Sequence, residues 1–97
     1  MSDLRVVAEI VAQPGSEDHI RDALTTLSEA TRQEEGCRSY ELFESTARPG
    51  TFFTIETWAD EAAMAGHLET AHIATAFAAA DGHVASAPAI HPLRPVG

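Results

Sequence analysis

Lysine and asparagine are absent from these 97 residues, and cysteine, tryptophan and tyrosine each occur once. A lone thiol, Cys37, closes no internal disulfide, so a reducing cytoplasm is the expected compartment. No apolar run approaches the ~20 residues of a membrane span, and Met1-Ser2-Asp3 does not open a basic-then-apolar signal pattern. Basic charge is scarce as well: six arginines face 15 acidic residues, for a net charge of -9. Nucleic acid and anionic membrane both require a cationic surface, so neither is expected as a partner. Walker loop, dinucleotide fingerprint and Gly-x-Ser-x-Gly elbow are all missing, which leaves nothing to build a nucleotide site.

What is present describes one ordinary globule. The chain is 44% hydrophobic and 22% charged, and its length fits a single domain over residues 1–97. A domain of this size buries only about two-thirds of its unfolded surface, so a core completed by dimerisation is a live expectation.

Leu4, Val6, Ala8, Ile10 and Ala12 alternate with Arg5, Val7, Glu9, Val11 and Gln13, which reads as a strand. Val7 and Val11 make its second face half apolar, the mark of a sheet covered on both sides. Pro14-Gly15 breaks it. Ser16 then caps a helix with Glu17 and Asp18 in its first turn. Ile20, Ala23, Leu24, Leu27, Ala30 and Thr31 form its apolar stripe, Glu17 and Arg21 an (i, i+4) pair, and Gly36 its C-cap.

Cys37 to Thr46 and Thr51 to Trp58 read as strands around the Ala47-Arg48-Pro49-Gly50 turn, an antiparallel hairpin. Asp60 caps a short helix over 61–69. An alanine-rich helix follows over roughly 71–80, with Ile73, Ala76, Phe77 and Ala80 on one side, and Asp81-Gly82 ends it. Residues 88–96 form a last strand, which Pro88, Pro92 and Pro95 confine to an edge. The order β-α-β-β-α-β is the ferredoxin-like α+β arrangement, an antiparallel sheet with helices on one face. Strands apolar on both faces then call for a cover over the bare side, and a second copy of the chain is the simplest one.

Tyr40, Trp58, His67 and His72 carry chemistry beyond packing. Thr54 and Glu56 share a strand face with Trp58. A carboxylate within a strand is costly to bury unpaired, so Glu56 either reaches solvent or an arginine such as Arg38 or Arg94, or stands at the wall of a polar-lined pocket. His67 and His72, five residues apart, would diverge by about 140° on one continuous helix. That is the wrong spacing for a paired-face metal motif, and no metal site is expected. As pocket histidines they suit a general base or a donor to a phenolic oxygen. Each also fits a plain structural role at a helix end or the surface. His19, His83 and His91 read as surface or turn residues, and Cys37 as inert packing.

Several short motifs, in order, resemble the antibiotic biosynthesis monooxygenase family: Pro14-Gly15, Glu34-Glu35-Gly36-Cys37, Tyr40-Glu41, Ile55-Glu56-Thr57-Trp58, and His67-Leu68-Glu69-Thr70-Ala71-His72. The resemblance runs from about Arg5 to Val96. It implies a ferredoxin-like monomer that pairs into a dimeric α+β barrel, with a pocket between sheet and helices. It also implies oxidation of quinols, anthrones or related phenolics by O₂ with neither metal nor flavin. Anthrone oxygenases of the family carry asparagine and tyrosine where this chain has Thr54 and Met64, and only Trp58 matches that constellation. The haem-degrading branch needs an asparagine on its first strand, which this chain lacks. The histidine run is closer to the quinol monooxygenase-like branch.

The expected protein is thus a cytoplasmic homodimer that binds a small aromatic molecule and O₂ and uses no cofactor. His67 or His72 takes the phenolic proton, and Trp58 and Tyr40 stack on and orient the ring. Thr54, Glu56, Met64 and Phe77 complete the pocket. Two other classes stay open: an isomerase or lyase acting on a small polar metabolite through Glu56 and a histidine, and a non-catalytic small-molecule binder.

Overall fold

A computed structural model describes residues 3–97. The elements run β1 (Leu4–Val11), α1 (Glu17–Thr31), β2 (Cys37–Glu44), β3 (Thr51–Trp58), α2 (Glu61–Leu68), α3 (Ala71–Ala80) and β4 (Ala89–Leu93). The four strands form one antiparallel sheet in the order β2-β3-β1-β4. This is the ferredoxin-like α+β fold, with the second helical segment split into α2 and α3. β4 lies at the sheet edge and carries Pro92, the position where a missing N–H costs least. Among the described residues, no helix is long and apolar enough to cross a membrane.

The period of two separates the two sheet faces. Val6, Ala8 and Ile10 of β1 are buried with Phe52, Thr54, Glu56 and Trp58 of β3, and this face meets the helices. Ile20, Leu24 and Leu27 of α1 and Ile73 of α3 pack on Ala8, Ile10 and Phe52, while Met64 of α2 packs with Val6, Tyr40 and Trp58. The opposite face presents Val7, Val11, Phe53 and Ile55, each half-buried, and the exposed Phe43. Phe53 faces Phe43 across one strand pair, and Ile55 faces Val7 across the other.

Three local expectations are corrected. Gly36 is not the C-cap of α1, which ends at Thr31 with Arg32 as its cap. Nor does Gly36 carry a positive φ. Glycine is needed there for closeness instead, because a Cβ at residue 36 would stand 2.4 Å from the Cβ of Ala63 on α2. Arg21 pairs with Asp18 and Glu44 rather than Glu17, and Glu17 turns back to accept the Gly15 N–H at 2.9 Å. Ser16 holds the N-cap position of α1 but makes no side-chain cap bond. Its hydroxyl lies 3.0 Å from His83 Nδ1.

Candidate active site

Strand alternation brings Tyr40, Thr54, Glu56 and Trp58 beneath the helices. Tyr40 stands directly opposite Glu56 in the β2–β3 register. Glu56 is 3% exposed, yet it reaches neither solvent nor an arginine. Thr54 Oγ1 donates to its Oε2 at 2.6 Å, and the Trp58 indole N–H donates to its Oε1 at 2.8 Å. Charge-assisted bonds from two fixed neighbours are what make a buried carboxylate tolerable. Arg38 lies 3.6 Å from Asp3 instead.

Capping positions the histidines. Asp60 Oδ1 accepts the Ala63 N–H at 2.8 Å and starts α2. Thr70 acts at both sides of the next junction. Its hydroxyl donates to the His67 carbonyl at 2.8 Å, and it accepts the Ile73 N–H at 3.3 Å as the N-cap of α3. His67 and His72 therefore sit on different helices with a bend between them, and the divergence of a continuous helix does not arise. Both rings turn toward Glu34, in the turn after α1. His67 Nδ1 lies 2.6 Å and His72 Nε2 2.7 Å from the same oxygen, Oε2.

An ionised carboxylate only accepts, so opposite it Nδ1 of His67 and Nε2 of His72 act as donors. On a neutral His67 ring, Nε2 is then the free lone pair. His67 is 2% exposed and packs against aromatic rings, its centroid 4.6 Å from that of Trp58 and 5.9 Å from that of Tyr40. Glu34 was not singled out in the sequence as a site residue. Its place in Glu34-Glu35-Gly36 looks like an ordinary acidic helix end, and only the bend at Thr70 reveals its partners.

A cavity of about 70 Å³ lies between sheet and helices. Tyr40, Thr54, Glu56 and His67 supply its polar edge, and Met64 and Phe77 are part of an apolar wall. Trp58 does not line it. The indole, fully buried, stands behind Glu56 and His67. His72 does not line it either, and faces a separate groove between α1 and α3 with His19 and Asp22. Of the residues picked from sequence, the structure thus gathers Tyr40, Thr54, Glu56, Met64, His67 and Phe77 around one space. It sets Trp58 and His72 outside that space.

Burial, and next the charge of Glu56, push the Tyr40 phenol well above its ordinary range, so its proton stays on. Cys37 is also pushed up, by burial and by the charges of Glu34 and Glu56. That is the opposite of an activated thiol.

Relatives give the site its family context. The Bacillus subtilis (strain 168) protein named "Putative monooxygenase YcnE" is 38% identical over 81 residues, 84% of each chain. The crystal structure of PA3566 from Pseudomonas aeruginosa superposes with a TM-score of 0.92 at 27% identity, covering 100% of this chain and 97% of that one. A crystal structure described as an antibiotic biosynthesis monooxygenase superposes with a TM-score of 0.89 at 31% identity, covering 97% and 99%. The antibiotic biosynthesis monooxygenase family matches residues 3–79, and this chain belongs to it.

Proposed function

We propose that this chain is a monooxygenase that oxidises a quinol, anthrone or similar phenolic with O₂, using no organic cofactor and no metal for the chemistry. The observation that carries the proposal is His67. Its Nδ1–H is anchored on Glu34, and its other nitrogen is free on a ring that lines an apolar cavity. A base held in one tautomer by a carboxylate is suited to removing a phenolic proton.

The residues then divide the work. His67 Nε2 takes the proton, and Tyr40, which stays protonated, hydrogen-bonds the substrate oxygen. The apolar wall with Met64 and Phe77 excludes water around the electron-rich ring. The phenolate gives one electron to O₂, and the radical pair joins as a C–O bond. His67 returns its proton to the resulting peroxide anion, and the O–O bond then breaks as the oxygenated carbon gives up its C–H proton, forming the carbonyl and releasing water. The substrate loses two hydrogens and gains one oxygen atom, and the second oxygen atom departs as water. Trp58 from behind and Thr54 from the cavity edge hold Glu56 in place.

An isomerase or lyase built on Glu56 has less support. Both oxygens of that carboxylate already hold donors, and no arginine lines the cavity.

We further propose that the protein is a homodimer in which the outer sheet face, with Phe43, Phe53, Ile55 and Val7, is covered by a second copy. Sedimentation should give twice the chain mass. A monomer at micromolar concentration overturns that arrangement.

The reaction is tested by O₂ uptake with menadiol, with chelator present. The wild type should exceed the uncatalysed rate and release water without peroxide, and His67→Ala should fall to the background. No uptake by the wild type overturns the oxidation. Equal rates in both overturn the role of His67.

A further inference from the structure

Three potential metal donors converge at one point of the fold, from three different segments. One donor atom each of Glu34, His67 and His72 lies within 4.8 Å of the other two, and Oε2 of Glu34 stands 2.6 Å from Nδ1 of His67 and 2.7 Å from Nε2 of His72. We propose that they form a binding site for a borderline divalent ion of the zinc type, reached from the groove between α1 and α3.

The donor set suits such an ion. Two neutral imidazoles and one carboxylate supply two nitrogens, one oxygen and a single negative charge, a composition that zinc, cobalt and nickel accept and magnesium or calcium do not favour. The elements are fixed around the trio rather than loosely gathered. Thr70 closes α2 and opens α3 with two hydrogen bonds, so both rings are set by helix ends. Glu34 lies in a turn pinned by its own N–H to Thr31 and by Cys37 N–H to its carbonyl, at 3.0 and 3.1 Å.

Access and room are both present. The side chains of Glu34 and His72 are 16% and 27% exposed, whereas that of His67 is 2% exposed. An ion therefore arrives from the His72 side without crossing the core. Tetrahedral coordination with bonds near 2.0–2.1 Å spaces ligand atoms roughly 3.4 Å apart. The two contacts to Glu34 are 2.6 and 2.7 Å and the two ring nitrogens lie within 4.8 Å of each other, so the carboxylate must draw back by less than an ångström and the part-exposed His72 ring must swing inward toward His67. The half-exposed groove allows that movement, and it leaves a fourth position open to water.

Binding has a chemical consequence. The ion takes Nδ1 of His67 and Nε2 of His72, so the proton of the first ring moves to Nε2 and that of the second to Nδ1. No proton need leave the protein. On His67 the nitrogen free to accept changes into an N–H, and that ring can no longer act as a base. A zinc-type ion and the base function of His67 exclude one another, which makes the trio a metal-responsive off state.

The test needs no substrate, so it stands apart from the reaction proposed above. Chelator-treated protein is titrated with CoCl₂ and then ZnCl₂, read by calorimetry and by visible cobalt bands. Nitrogen-15 NMR reads the His67 tautomer. The expected result is one ion per chain, zinc displacing cobalt, and transfer of the His67 proton from Nδ1 to Nε2. Glu34→Gln and His72→Gln should each weaken binding at least tenfold while circular dichroism confirms the fold. The proposal is overturned by absence of saturable binding, by affinity unchanged in both variants, or by binding that is lost instead in His83→Gln. That last outcome would move the ion to the stacked His19–His83 pair.

Discussion

Nδ1 of His67 and Oε2 of Glu34 stand 2.6 Å apart although 33 residues separate them in the chain. Glu34 does not line the cavity, so in the proposed reaction it would act only through the ring that it orients. Glu34→Ala should lower kcat with menadiol by about 10- to 100-fold, because misplacing a base by an ångström costs that much. KM should barely move. Glu34→Gln, which keeps an acceptor and the shape, should lose less than Glu34→Ala. A rise in KM at constant kcat would show that Glu34 serves binding instead.

Tyr40 offers a measurement without background, since it is the only tyrosine. Burial and the nearby Glu56 charge raise its phenol above the ordinary range. A raised folded-state value means that the unfolded chain loses the proton first. The contribution to stability is therefore whole below the ordinary phenol range and is lost as pH rises through and beyond it. Absorbance at 295 nm should show phenolate in urea with a midpoint near ~10. The native protein should show it only at clearly higher pH or on alkaline unfolding. Overlapping curves would mean that Tyr40 is solvated and not under the helices.

Strand parity alone already places Thr54, Glu56 and Trp58 on one face and Val7, Val11, Phe53 and Ile55 among the other apolar positions. It does not say which face the helices choose, because both are apolar enough to be covered. The capping residue Asp60 is legible too, and so is the split into two helical segments, whereas the cap at Thr70 emerges only in the structure. What could not be read is the meeting of Glu34 with two histidines. That contact depends on the angle at a two-residue junction and on the closeness of α2 to the turn after α1, and neither has a periodic signature. The role of Gly36 was hidden for the same reason, since a glycine after a helix looks like a C-cap until Ala63 is seen above it.

That closeness is testable. Gly36→Ala puts a methyl group 2.4 Å from the Ala63 Cβ, and overpacking of this kind typically costs roughly 1–3 kcal/mol. Urea unfolding should register the loss. Adding Ala63→Gly removes the clash, at the cost of a weaker helix of about 1 kcal/mol. The double variant should therefore be more stable than the sum of the two single losses predicts. Strict additivity would mean that the backbone moves apart and no contact limits residue 36.

Glu44 links the β2–β3 turn to α1, accepting the Gly50 N–H at 2.9 Å and pairing with Arg21. Those two bonds, the backbone one first, hold its carboxyl below the ordinary value. A lowered folded-state value gives stability that is present above the unfolded value and is lost as pH falls through the folded one. Wild type should melt above Glu44→Gln at neutral pH, and the gap should close on acidification through the carboxylate range. A gap independent of pH would assign the effect to packing instead of charge.

In the proposed reaction, Phe77 should decide how large a ring the cavity accepts. At about 70 Å³ the space is smaller than the cavity of roughly 150 Å³ that holds benzene, so the wall must open for any phenolic ring. The yielding parts are those already half in water: Phe77 is 49% exposed, Leu68 42% and Ile90 38%. Trp58 and Phe52, almost fully buried, cannot yield without breaking the core. Phe77→Ala should therefore cost less stability than the ~3–5 kcal/mol of a buried phenylalanine. It should also raise kcat/KM for a three-ring anthrone relative to two-ring menadiol by severalfold. Steady-state rates on both substrates, with thermal melts as control, read the two effects separately. An unchanged ratio would place the limiting wall at Leu68 or Ile90, and the same comparison on Leu68→Ala and Ile90→Ala would then find it.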